Sequence, residues 1–62
     1  MRYDTVIHEP SKGSRKRLPD GRIAVAANTH AVLQSVYYEI EGGNGAGGWV
    51  SWLAWSAMES AA

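Results

Sequence analysis

No cysteine occurs in this 62-residue chain, and that absence removes most of the devices that hold so short a chain together. Disulfides, iron–sulfur clusters and thiolate zinc sites all need the thiol. A single domain of this size buries only about 60% of the surface its unfolded chain exposes, so its stability is marginal. Two solutions remain. The core is dense in large side chains, or a partner completes it. Three Trp and three Tyr serve either solution, because large aromatics dominate both cores and interfaces.

The chain reads as one domain, residues 1–62. Residues 2–8 alternate Tyr3, Thr5 and Ile7 on one face and predict a first strand that Pro10 ends. Residues 9–21 form a basic loop and turn. Within it, Pro19-Asp20-Gly21 is a turn with a mechanism: proline pre-sets φ, Asp bonds the backbone, and glycine accepts positive φ. Strand-like residues flank it at 15–18 and 22–26, so a hairpin is expected. Asn28-Thr29 has the form of a helix N-cap. A short helix is therefore expected over residues 28–35, followed by a strand over 36–41, where Val, Tyr, Tyr and Ile gather. Residues 30–41 also satisfy a helical stripe through Leu33, Val36, Tyr37 and Ile40, and the pattern does not decide between the two.

Residues 42–48 hold five of the seven glycines and form a hairpin loop or linker. The segment that follows, Trp49-Val50-Ser51-Trp52-Leu53-Ala54-Trp55, is a strand or a buried helix. As a helix, it would put Val50, Leu53, Ala54 and Ala57 on one side and leave Trp52 and Trp55 off it. As a strand, it places Trp49, Leu53 and Trp55 on one face and Trp52 on the other, and this is the favoured reading. On that reading Trp49 and Trp55, with Leu53, close the core and Trp52 is the outward contact residue. Replacing Trp52 with Ala would then cost partner binding more than folding, and replacing Trp55 the reverse. Residues 57–62 are expected to fray.

The run from Gly43 to Gly48 matches Gly-x-Gly-x-x-Gly. A dinucleotide turn also needs a following helix, a second parallel strand and a distant acidic residue. The chain ends 14 residues after Gly48, and a parallel crossover does not fit in that length. His8 and His30 stand alone, with no second ligand at metal spacing, so no metal and no cofactor are expected. Glu39 and Glu41 share a strand face and look solvated, and no Ser nucleophile has a base at hand. A non-enzymatic role follows.

Charge is balanced in sum but not in place. Residues 1–22 carry all six basic groups against three acidic ones, 6 − 3 = +3, and residues 23–62 carry three Glu, −3. The basic cluster Arg15, Lys16 and Arg17 is a candidate contact for phosphates or an acidic protein face, with Tyr37 and Tyr38 as stacking partners. A zero net charge argues against a dedicated nucleic-acid binder. The start of the chain is charged and shows no signal peptide. The longest mainly apolar run, residues 49–58, falls short of the ~20 residues a membrane helix needs. A soluble cytoplasmic protein is expected, without membrane contact.

The β-α-β-β order, with Trp52-Leu53-Ala54-Trp55 following a glycine turn, resembles the anti-CRISPR proteins, small phage-encoded inhibitors of bacterial immunity. The resemblance covers about 20 residues. The basic stretch Lys12–Arg17 and the glycine-dense loop depart from that plan, so no contact residues carry over. What the resemblance implies is an inhibitor that docks on a CRISPR surveillance complex and blocks DNA binding, in the host cytoplasm. The reading from the residues is a small α+β domain: an antiparallel sheet of about four strands with one short helix, with an all-β small barrel as the alternative. The partner-binding candidates are Trp52, Tyr37, Tyr38, Arg15, Lys16 and Arg17. The rival functions are a nucleic-acid-binding module led by the basic loop and a self-assembling structural subunit, a homodimer in its simplest form.

Overall fold

A computed structural model describes residues 8–61 of the protein. Five strands and one helix follow in chain order: β1 (Arg15–Arg17), β2 (Ile23–His30), β3 (Ser35–Ile40), β4 (Gly47–Ser51), α1 (Trp52–Ala57) and β5 (Glu59–Ser60). All pairings are antiparallel, in the spatial order β4-β3-β2-β1-β5. Among the described residues the sheet is open, with β4 at one edge and β5 at the other, so the barrel alternative does not hold. The strand expected over residues 2–8 lies, apart from His8, outside the described residues.

The first hairpin forms where its turn chemistry places it. Leu18 and Arg22 close the turn, with the Leu18 N–H donating to the Arg22 carbonyl at 2.8 Å and the Gly21 N–H to the Leu18 carbonyl at 2.9 Å. Gly21 sits at φ +94°, a conformation that side-chain-bearing residues rarely adopt. Asp20 accepts from the Arg22 backbone N–H at 3.0 Å and from its guanidinium at 2.6 Å. Both contacts favour the ionised form and hold the Asp20 carboxyl below the usual range, the backbone bond being the larger cause.

Between β2 and β3 the expected helix is absent. Asn28 and Thr29 continue β2 as extended chain, and residues 31–34 make a tight turn. Asn28 does use its side-chain oxygen as a cap would, but it accepts from the next residue's N–H at 3.0 Å and no helix follows. The β-forming run Val36-Tyr37-Tyr38 pairs back along β2, and that leaves four residues for the connection. Gln34 takes φ +50° to close it. A bulge between Ala26 and Asn28 shifts the β2 register by one, so Asn28 faces the same side as Val25.

The glycine loop is shorter than the run of glycines. Gly47 and Gly48 already belong to β4. A Cβ on Gly47 would run into the Tyr38 carbonyl oxygen, so only glycine lets the backbone of β4 approach β3 this closely there.

The tryptophan segment is divided between strand and helix. β4 ends at Ser51, whose hydroxyl accepts from the Ala54 N–H at 3.1 Å and caps α1. Trp52 and Trp55, at i and i+3, then turn inward together. They pack on Ala24, Ala26 and Val36, with Leu18, Tyr38, Ile40, Val50 and Met58 around them. Two small alanines on the central strand make room for two indoles, which is how a chain this size builds a core without staples. The Trp52 indole N–H donates to the Ser35 carbonyl at 2.9 Å, so the buried ring leaves no donor unpaired. The tail expected to fray carries a strand. β5 pairs with β1, the Ala61 N–H donates to the Arg15 carbonyl at 3.0 Å, and Ala61 is buried.

Candidate functional site

Strand alternation assigns each side chain to one of two faces, and α1 covers only one of them. The covered face carries Lys16, Ala24, Ala26, Val36, Tyr38, Ile40, Gly48 and Val50, following the rows set by register. The opposite face carries Arg15, Arg17, Ile23, Val25, Asn28, Tyr37, Glu39 and Trp49. No described element lies over this second face.

The sequence candidates separate along this division. Trp52, expected to point outward, is 6% exposed and belongs to the core beside Trp55 at 3%. Tyr38 is half-buried on the covered face, its ring 6.2 Å from that of Trp55. Lys16 lies on the covered side too, its ammonium 3.3 Å from the Met58 carbonyl. Tyr37, Arg15 and Arg17 are on the open face. The basic cluster is therefore not one patch: alternation sends its middle member to the other side of the sheet.

Trp49, expected to close the core, is instead the exposed indole, 56% accessible. Its ring lies 5.4 Å from that of Tyr37, tilted at 54°, directly across the β3–β4 pairing. Leu53, also expected in the core, is 54% exposed in the first turn of α1. Both errors have one cause. A strand running through residue 55 fixes the parity of every side chain after Ser51, and the helix start at Trp52 resets it. The signal was present in Ser51, a preferred N-cap residue standing one and four positions before the two inward indoles.

Charges of both signs share the open face. Arg15 and Glu41 form an ion pair at 2.8 Å, both partners around half exposed, which is worth about 0–1 kcal/mol. Glu39 stands directly across from Val25, which in turn faces Arg15. The result is an aromatic pair at the β4 side of the face, aliphatic Val25 and Ile23 in the middle, and an alternation of Arg and Glu around them.

No protein-family model, curated protein or solved structure matches this chain. Among the described residues there is no pocket, and no group of three or more His, Cys, Asp or Glu is placed to hold a metal ion. None of the described helices is long and apolar enough to cross a membrane. The chemistry at hand on the open face is that of contact: apolar area, two aromatic rings, and paired charges.

Proposed function

We propose that this chain is a non-enzymatic protein-binding module that docks through the open face of its sheet, centred on Trp49 and Tyr37. The observation that carries the reading is the half-exposed Trp49 indole packed against the Tyr37 ring on a face with no described cover. An aromatic anchor ringed by polar groups is the composition of an interface hot spot. Mixed charge on the same face favours a protein over a nucleic acid. Arg15 is engaged by Glu41, and Glu39 stands nearby, so a phosphate backbone laid across this face would meet carboxylates as well as guanidinium groups. The resemblance to anti-CRISPR proteins narrows the partner to a CRISPR surveillance complex, with inhibition of its DNA binding as the outcome.

The test titrates the protein into purified surveillance complexes and follows target-DNA capture. Inhibition that is lost in Trp49→Ala and Tyr37→Ala, with both variants still folded, supports the reading. Inhibition by none of the complexes tested removes the inhibitor assignment. Inhibition undiminished in both variants removes the open face as the docking surface. Direct binding of duplex or single-stranded DNA at low salt, where electrostatic contacts are least screened, would favour the nucleic-acid alternative instead.

A further inference from the structure

Among the described residues, the two edges of the sheet are not alike. β5 is two residues long and carries Glu59, so it offers little for another strand to join. β4 is five residues long, Gly47-Gly48-Trp49-Val50-Ser51, with no charge and no proline. Long, neutral, proline-free edges are what folded proteins ordinarily avoid leaving open, because they template pairing with another chain.

The register says which backbone groups that edge presents. The Ile40 N–H donates to the Ala46 carbonyl at 2.8 Å, and the Trp52 N–H to the Gln34 carbonyl at 2.8 Å. These two bonds bracket the β3–β4 ladder, in which Ser35 faces Ser51 and Glu39 faces Gly47. In an antiparallel ladder the hydrogen-bonded pairs alternate with the non-bonded ones. Gly48 and Val50 therefore point their N–H and C=O groups toward β3. Gly47, Trp49 and Ser51 point theirs away from the sheet.

We propose that β4 is the seat of a homodimer, in which two copies pair their β4 strands antiparallel about a two-fold axis at Trp49 and merge two sheets into one. The inference does not depend on the inhibitor reading. The outward groups are self-complementary about that axis. Trp49 meets Trp49 of the second copy as a hydrogen-bonded pair, and Gly47 meets Ser51 in both directions. A two-fold axis sets each residue on it against its own copy, so a charge there would repel itself. Trp49 is neutral, its neighbours on the edge are Gly, Val and Ser, and the chain's net charge is zero. The axis also extends an existing contact. The Tyr37–Trp49 pair of each copy would join into a four-ring ladder on the open face, covering the indole that one copy leaves 56% exposed.

Sedimentation equilibrium over a range from about 10 µM to about 1 mM tests this. The expected result is a weight-average mass rising from the chain's 6.7 kDa toward twice that value. Amide exchange read by NMR should show Gly48 and Val50 protected at every concentration. Gly47, Trp49 and Ser51 should gain at least about tenfold protection only as the dimer fills, in the alternation the ladder requires. Two variants aim at the edge. Trp49→Lys places like charges on the axis. Ser51→Pro keeps the φ of −69° that Ser51 already has and removes an outward N–H; it also removes the hydroxyl that caps α1, at about 1 kcal/mol of stability. Each should hold the mass at 6.7 kDa at the highest concentration while remaining folded by circular dichroism. A wild-type mass that stays at 6.7 kDa throughout overturns the proposal. So does association that survives both substitutions, or protection appearing at residues other than Gly47, Trp49 and Ser51.

Discussion

Trp52→Ala is the substitution that most sharply tests the core described here. The indole is 6% exposed, packs against the sheet with Trp55, and donates its N–H to the Ser35 carbonyl at 2.9 Å. Truncating a buried Trp costs about 3–5 kcal/mol, part from lost burial and part from the cavity left behind. The hydrogen bond adds to this, because the Ser35 carbonyl loses a partner, at about 1 kcal/mol. Against that stands the whole stability of the fold. At about 0.05–0.15 kcal/mol per residue, 62 residues give about 3–9 kcal/mol. Trp52→Ala should therefore consume most or all of it. Trp52→Phe is the graded companion: it keeps an aromatic ring in place but loses the N–H, and should cost about 1–2 kcal/mol. Trp49→Ala is the control, since it removes a half-exposed ring whose pairing with Tyr37 is worth about 0.5–1.5 kcal/mol. Urea unfolding followed by far-UV circular dichroism ranks the three. If Trp52→Ala unfolds within about 1 kcal/mol of the wild type, or if Trp49→Ala proves the more damaging, the assignment of indoles to core and surface is wrong.

Two further outcomes follow from the local geometry. Gly47→Ala should destabilise by about 1–3 kcal/mol through its collision with the Tyr38 carbonyl. Gly48→Ala, whose new Cβ meets the Tyr38 hydroxyl at 3.4 Å, should be neutral or slightly stabilising in the same melts, and equal effects would break the close-approach argument. Asp20, whose carboxyl is held below the ordinary aspartate value by the Arg22 N–H and guanidinium, contributes stability that is complete above that ordinary value. That contribution should fade as pH falls through the lowered one. An NMR titration should place the Asp20 midpoint below the ordinary value, and Asp20→Asn should remove that part of the acid dependence. A midpoint at or above the ordinary value would contradict the turn geometry.

The pieces whose physics is local were legible before any fold was known. Pro19-Asp20-Gly21 specified a turn because each residue satisfies one demand of the backbone there, and the hairpin of β1 and β2 formed around it. The run Val36-Tyr37-Tyr38 specified a strand because branched and aromatic side chains suit a pleated surface. The absence of cysteine, together with the count of aromatic residues, narrowed the choice to a core built on rings or one that a partner completes. Periodicity alone left residues 49–57 open, since the same Trp and Leu positions suit a strand or a short helix. The Ser51 cap and the need to cover Ala24, Ala26 and Val36 decided for the helix, and with it which indole is buried. The Asn28-Thr29 cap signal lost to pairing, because β3 lengthens its ladder with β2 through Asn28, Thr29 and His30, which a helix over residues 28–35 would have given up. The functional surface was the least legible part. A face exists only once strands are registered side by side, so the division of Arg15 and Arg17 from Lys16, of Tyr37 from Tyr38, and of Trp49 from Trp52 and Trp55 is a property of the sheet and of the one helix laid across it.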